Sequence, residues 1–162
     1  MVSENTTPNY PEASWIAKCG GNFPSKVQWL YKKLNGNAVQ KVNQIPPLST
    51  TLYSVYSTNV TVGSGLTGQG IVINEQVSLD WVKWAISKNV WNLLYQSGKV
   101  NATSEGVVLI ENKIKEVLDV AVTEGIFSEY QLLGGTLYRQ QNNATFKFKA
   151  KLTYSILNAD IE

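Results

Sequence analysis

The segment Ala144–Ile156 reads ATFKFKAKLTYSI. Phe146, Phe148, Ala150, Leu152, Tyr154 and Ile156 recur at every second position, and Thr145, Lys147, Lys149, Lys151, Thr153 and Ser155 fill the alternate ones. Successive side chains of a strand point to opposite faces, so this pattern predicts a long, half-buried β-strand. At roughly 3.4 Å per residue it would span about 40 Å, near twice the usual strand length. A strand of that reach pairs readily beyond its own chain. Its length makes it a pointer to assembly rather than catalysis.

Composition narrows the chemistry. At 162 residues the chain is of single-domain size, and its 16% charged residues are few for an isolated monomer, which favours a surface partly covered by a partner. A net charge of +2 gives no footprint for nucleic acid, and the lysine row of the last strand reads as a solvated sheet face. With no histidine, Ser-His-Asp and Cys-His catalysis, histidine zinc sites and histidine pH switching are excluded. The single cysteine, Cys19, has no internal disulfide partner and reads as a small core residue, as expected for assembly in a reducing cytoplasm. Asn-x-Thr triplets at Asn5, Asn59, Asn101 and Asn143 follow no secretory leader and reflect an Asn- and Thr-rich composition. No stretch has the ~18–20 apolar residues of a membrane span, and nothing implies a cofactor or a metal.

Along the chain, Met1–Asn9 is expected to be disordered or a linker, and 10–162 a single domain. YPEASWIAKCGG predicts a helix with Pro11 in its first turn, Trp15, Ile16 and Cys19 on one side and Gly20-Gly21 as its stop. Lys26–Leu34 alternates around Val27, Trp29 and Tyr31 and is expected to be a strand. Asn35–Gly70 is expected to be loop and short strand, with a short piece near Leu52, Val55 and Tyr56. Gly63, Gly65, Gly68 and Gly70 form a turn region that lacks the Lys-Ser or Lys-Thr of a phosphate loop. Ile71–Gln76 is expected to be a strand. Ser78–Tyr95 predicts a helix with a wide apolar arc, its Trp81 assigned to the core and Trp84 left between core and interface. Thr103 is placed to cap a second helix, Glu105 suits its positive end, and Glu111 and Lys115 are spaced as a helical ion pair. Gly125 suits the left-handed position after it. Leu137 and Tyr138 turn at Gln141-Asn142-Asn143 into the last strand. The fold class is α+β: a mainly antiparallel sheet with a long C-terminal strand and two long helices on one face.

SLDWVKWAISKNVWNLLYQSGKV followed by NATSEGVVLIENKIKEVLDVAVTEGI resembles the C-terminal region of bacteriophage contractile-tail sheath proteins. YPEASWIAKC upstream and ATFKFKAKLTYSI at the close resemble the start and finish of that region, so the likeness runs in order from about Tyr10 to Ile156. Leu79-Asp80-Trp81 and the pieces Thr103–Gly106 and Leu109–Glu111 carry it best. The resemblance implies a structural, non-catalytic subunit of a phage or prophage virion, assembled in the bacterial host cytoplasm. It implies the inner, tube-proximal domain, with other sheath subunits in a helical homo-oligomer and the inner tube protein as partners, no nucleic acid and no membrane insertion. It also implies strands exchanged between subunits by β-augmentation, with the terminal row Phe146, Phe148, Ala150, Leu152, Tyr154 and Ile156 as the candidate inter-subunit strand. Lys83, Lys88, Lys113 and Lys115 become the candidate helix charges facing an acidic tube. The departure is size, since sheath proteins carry further N-terminal domains.

Two other classes compete. A stand-alone tail, baseplate, receptor or glycan-binding module would use Tyr53, Tyr56 and the loop at Gly63–Gly70 as a platform; the ordered helix motifs speak against it. A glycosidase needs two facing carboxylates. Glu75 and Asp80 are the nearest pair in sequence, with a strand-end charge and a first-turn helix acid as their plain reading.

Overall fold

The computed structural model describes residues 11–29, 32, 34, 40–41, 51–55, 59–63 and 65–154. The chain divides into two compact units, Met1–Val77 and Ser78–Glu162. The expected linker at Met1–Asn9, Pro46-Pro47, Tyr31, Tyr56 and Ile156 lie outside the described residues.

In the first unit, α1 spans Pro11–Cys19, as expected, and Cys19 is buried while Ile16 is exposed. The strand expected over Lys26–Leu34 does not form among the described residues. Pro24–Lys26 make a 3-10 turn instead, followed by extended backbone at Val27. Val27 and Leu34 are buried, so the alternation marks apolar anchors rather than a ladder. The carbonyl of Trp29 accepts the indole N–H of Trp15 at 2.7 Å, and the two rings meet edge to face at 5.4 Å. This satisfies backbone and indole without a neighbouring strand. Three short strands follow: β1 (Gln40–Lys41), β2 (Thr51–Val55) and β3 (Asn59–Gly63). β1 is parallel and β3 antiparallel to β2.

The strand expected at Ile71–Gln76 is also overturned. Only Val72 bridges, to Leu66, across a turn closed by Gly70 N–H donating to Thr67 O at 2.9 Å. The helix α2 begins five residues before the expected Ser78 and spans Ile73–Ser97. Three adjacent apolar residues, Ile71 to Ile73, are too few to define a period. Asn74, Glu75 and Gln76 then favour a first helical turn, where Glu75 meets the positive end of the helix dipole. Glu75 is therefore a helix acid and not a strand-end charge.

The second unit is built on α3 (Ser104–Thr123) and a hairpin of β4 (Phe127–Tyr138) with β5 (Asn143–Leu152). Thr103 caps α3, its hydroxyl accepting from Gly106 N–H at 3.3 Å. The Glu105 carboxyl is held low by its own backbone N–H and the Thr103 hydroxyl. At the other end Gly125 adopts φ +76. Ile126 N–H reaches Ala121 O at 2.8 Å and Gly125 N–H reaches Val122 O at 3.0 Å, the paired bonds of a Schellman stop. Ile114, Val117, Leu118, Ala121, Ile126 and Phe127 are buried there. The hairpin turns through Arg139–Gln141 and a left-handed Asn142. The fold is α+β, with antiparallel pairing in β2–β3 and β4–β5 and a long last strand. β5 runs for ten residues, about 34 Å, and stops at Leu152 rather than Ile156.

Candidate functional site

Two surfaces of the second unit stand out, the hairpin and the outer side of α2. The hairpin is shaped by a bulge. Leu132 pairs with Phe148 and Gly135 with Phe146, so β4 spends one more residue than β5 between them. Because side chains alternate, that extra residue reverses the parity of β4. Tyr130 and Leu132 before it, and Gly135 and Leu137 after it, therefore share the face of Ala144, Phe146, Phe148 and Ala150. α3 lies on that face. The Tyr130 hydroxyl donates to Asp119 Oδ1, and Gly135 N–H donates to Glu111 Oε1 at 2.6 Å. A Cβ on Gly135 would come within 2.5 Å of the Phe146 ring and 2.9 Å of Val107 Cγ1, so glycine lets the helix and the ring close over the strand.

The residues of the last strand fare unequally. Phe146 is half-buried in this contact and Leu152 half-buried opposite Phe127, while Ala150 is exposed. Phe148 is 37% exposed, and Tyr154 lies past the strand end, 69% exposed. The apolar row is thus partly covered at Ala144, Phe146 and Leu152 and open at Phe148 and Ala150. Its opposite face carries Lys147, Lys149 and Lys151, all exposed; among the described residues only Lys151 has an acid within reach, Glu129 at 3.9 Å.

On α2, Ser78, Val82 and Ala85 are buried, and Asn89 on the same stripe donates to the Lys113 carbonyl at 3.4 Å, tying α2 to α3. Trp84, Lys88, Trp91 and Tyr95 follow the same i, i+4, i+7, i+11 steps on an exposed side. Trp84 and Trp91 are 56% and 61% exposed, which resolves the open position of Trp84 in favour of the surface. Trp91 stacks on Tyr95 at 5.1 Å and 7°, and Lys88 Nζ sits 4.8 Å from the Trp84 ring. A pre-stacked aromatic stripe left in water is the composition of a recognition surface.

The four candidate lysines are not equivalent. Lys83 is exposed and 3.9 Å from Asp80, a contact worth little at that exposure. Lys113 is held by both carboxylate oxygens of Glu116, at 2.7 and 2.9 Å. Lys115 is exposed and is not paired with Glu111, whose carboxylate serves Gly135 instead. Asp80 and Glu75 both lie on α2, and Tyr53 lies in β2. A shallow hollow is lined by Ser104, Leu137, Tyr138, Arg139 and Gln140. Among the described residues no acid or sulfur cluster has metal-site geometry, and no helix is long and apolar enough to cross a membrane.

Residues 73–145 match the family described as E217 tail sheath protein gp31-like, C-terminal domain. Over this span the chain is similar to the C-terminal domain of a tail sheath protein. The match opens on the first residue of α2, runs through α3 and β4, and stops at Thr145, early in β5. It contains the aromatic stripe, the four lysines and the bulge. The first unit as far as Val72 and the Phe146–Leu152 part of the hairpin lie outside it. No curated protein and no solved structure matches the chain.

Proposed function

We propose that the chain is a structural, non-catalytic subunit, or part of one, of a contractile phage or prophage tail sheath. It surrounds an inner tube, and neighbouring copies are joined by strands exchanged at the β4–β5 hairpin. The observation that carries this reading is the family match over α2, α3 and β4, the same elements that bear the exposed stripe and the hairpin. Backbone groups at a sheet edge supply the affinity in strand addition, and alternate side chains supply the selectivity. Repeated head-to-tail, such contacts build an open helical array. Lys83, Lys88, Lys113 and Lys115 are the candidate charges for an acidic tube surface. The partners are other sheath subunits and the inner tube protein, without nucleic acid or membrane insertion, and assembly takes place in the bacterial host cytoplasm.

The test is deletion of the segment from Lys151 to Glu162 in a complete sheath protein that carries this domain. Electron microscopy is expected to show loss of ordered polymer. Sheaths of normal length and order from the deleted protein would overturn the role of this strand.

A further inference from the structure

The two edges of the hairpin differ. In an antiparallel ladder each residue turns its N–H and C=O together, toward its partner or away from it. Gly135 stands opposite Phe146, yet its N–H goes to Glu111 Oε1 at 2.6 Å. That N–H points away from β5, along the outer edge of β4, and the carboxylate from α3 occupies a donor that an incoming strand would need. The same edge is broken by two register shifts, between Phe127/Glu129 and Leu132/Gly135, and by the left-handed Gly134 at φ +87. Bulges of this kind protect an edge from pairing. On β5 no extra residue interrupts the run from Asn143 to Leu152. Among the described residues the side-chain bond to its backbone is from Ser128 Oγ to Lys151 O at 3.3 Å, made from the β4 side.

The geometry points to Glu111 as the residue that closes the β4 edge, so that an extended segment of a second copy of this chain adds at β5 alone. This rests on the sheath reading above. The occupant follows from chemistry. A strand on β5 would cover the open apolar row at Phe148 and Ala150 and lay its other face beside Lys147 and Lys149, which have no acid partner among the described residues. It should therefore alternate apolar with acidic residues. In sequence Leu157–Glu162 of this chain, which lies outside the described residues, alternates Leu157, Ala159 and Ile161 with the polar Asn158 and the acidic Asp160 and Glu162.

Disulfide trapping between separately labelled copies tests this, in a Cys19→Ala background. Lys149 and Gln131 pair across the hairpin, so Lys149→Cys reports the β5 edge and Gln131→Cys the β4 edge. Each is mixed with a second copy carrying Asp160→Cys and oxidised. Loss of an edge hydrogen bond is worth about 0.5–1.5 kcal/mol, so heterodimer yield is expected to be up to roughly tenfold higher at Lys149→Cys. Glu111→Ala should raise the Gln131→Cys yield, whereas Glu111→Gln retains an acceptor oxygen and should not. Equal yields at both edges of the unsubstituted chain would overturn the role of Glu111 and leave strand exchange standing. No heterodimer at either edge, or a disulfide only within single copies carrying both cysteines, would overturn exchange between copies itself. Should Glu111→Ala lose its helical circular dichroism, the comparison of the two edges decides.

Discussion

Burial pushes the Cys19 thiol above its ordinary 9.0, against the opposing pull of Lys32 and Lys18. The thiolate is the nucleophile, so a buried thiol with a raised pKa is unreactive. Cys19 is expected to react with an aromatic disulfide reagent at least roughly tenfold more slowly than the same chain in denaturant. Equal rates would place it at the surface. Tyr130 is also perturbed: partial burial first, and then its bond and proximity to Asp119, raise it from 10.0 to about 12. A raised folded-state pKa means that the protonated form is favoured by folding. Its stabilisation is thus complete below pH 10, and lost as pH rises through about 12. Spectrophotometric titration should find one of the eight tyrosines ionising near the upper value, and Tyr130→Phe should remove that step. The burial behind the Cys19 shift was legible in the sequence, but the Tyr130 shift was not, because Tyr130 and Asp119 are brought together by the helix-to-strand turn at Gly125.

At the scale of elements, periodicity and end signals were legible where they are local. The Thr103 cap, the Gly125 stop and the alternation of β5 each depend on residues within one turn or one strand, and each stands in the structure. What depends on distant partners was not legible. Glu111 sits at ideal spacing for Lys115, but a half-buried backbone N–H is a more demanding partner than an exposed ammonium, so the carboxylate goes to Gly135. The start of α2 was missed because Ile71–Ile73 carries too few residues to show a period. The alternation of β5 names an apolar face but not its cover, and α3 lies over β4, leaving Phe148 and Ala150 open. The bulge at Leu133–Gly134 gives the element-scale prediction. A methyl on Gly135 meets Phe146 at 2.5 Å and Val107 at 2.9 Å, whereas one on Gly68 meets nothing within 4 Å. Gly135→Ala should cost about 1–3 kcal/mol in urea unfolding, and Gly68→Ala should cost far less. Equal midpoints for the two variants would mean that α3 does not press on the hairpin.

For the whole molecule the charge balance sets how its surfaces act. Fourteen basic and twelve acidic residues leave +2, so no long-range field dominates and recognition falls to local groups. Two kinds of local group lie on α2 and α3, and salt separates them. In the proposed tube contact the stripe of Trp84, Trp91 and Tyr95 would act through burial, which salt does not screen. The lysines would act through charge, which is screened beyond roughly 10 Å at 0.1 M salt. Among them Lys113 is already engaged by Glu116 at 2.7 Å, while Lys115 is exposed without an acid partner among the described residues. In a complete sheath protein binding its tube, Lys115→Ala should therefore weaken binding more than Lys113→Ala at about 0.05 M salt, and the difference should vanish at about 0.5 M. Trp91→Ala should weaken binding by a similar factor at both salt concentrations, since Trp anchors contribute through desolvated contact area. Binding that is unchanged at low salt by alanine at Lys83, Lys88, Lys113 and Lys115 together would remove the helix charges from the tube interface. A loss confined to Trp91→Ala would then assign that interface to the aromatic stripe.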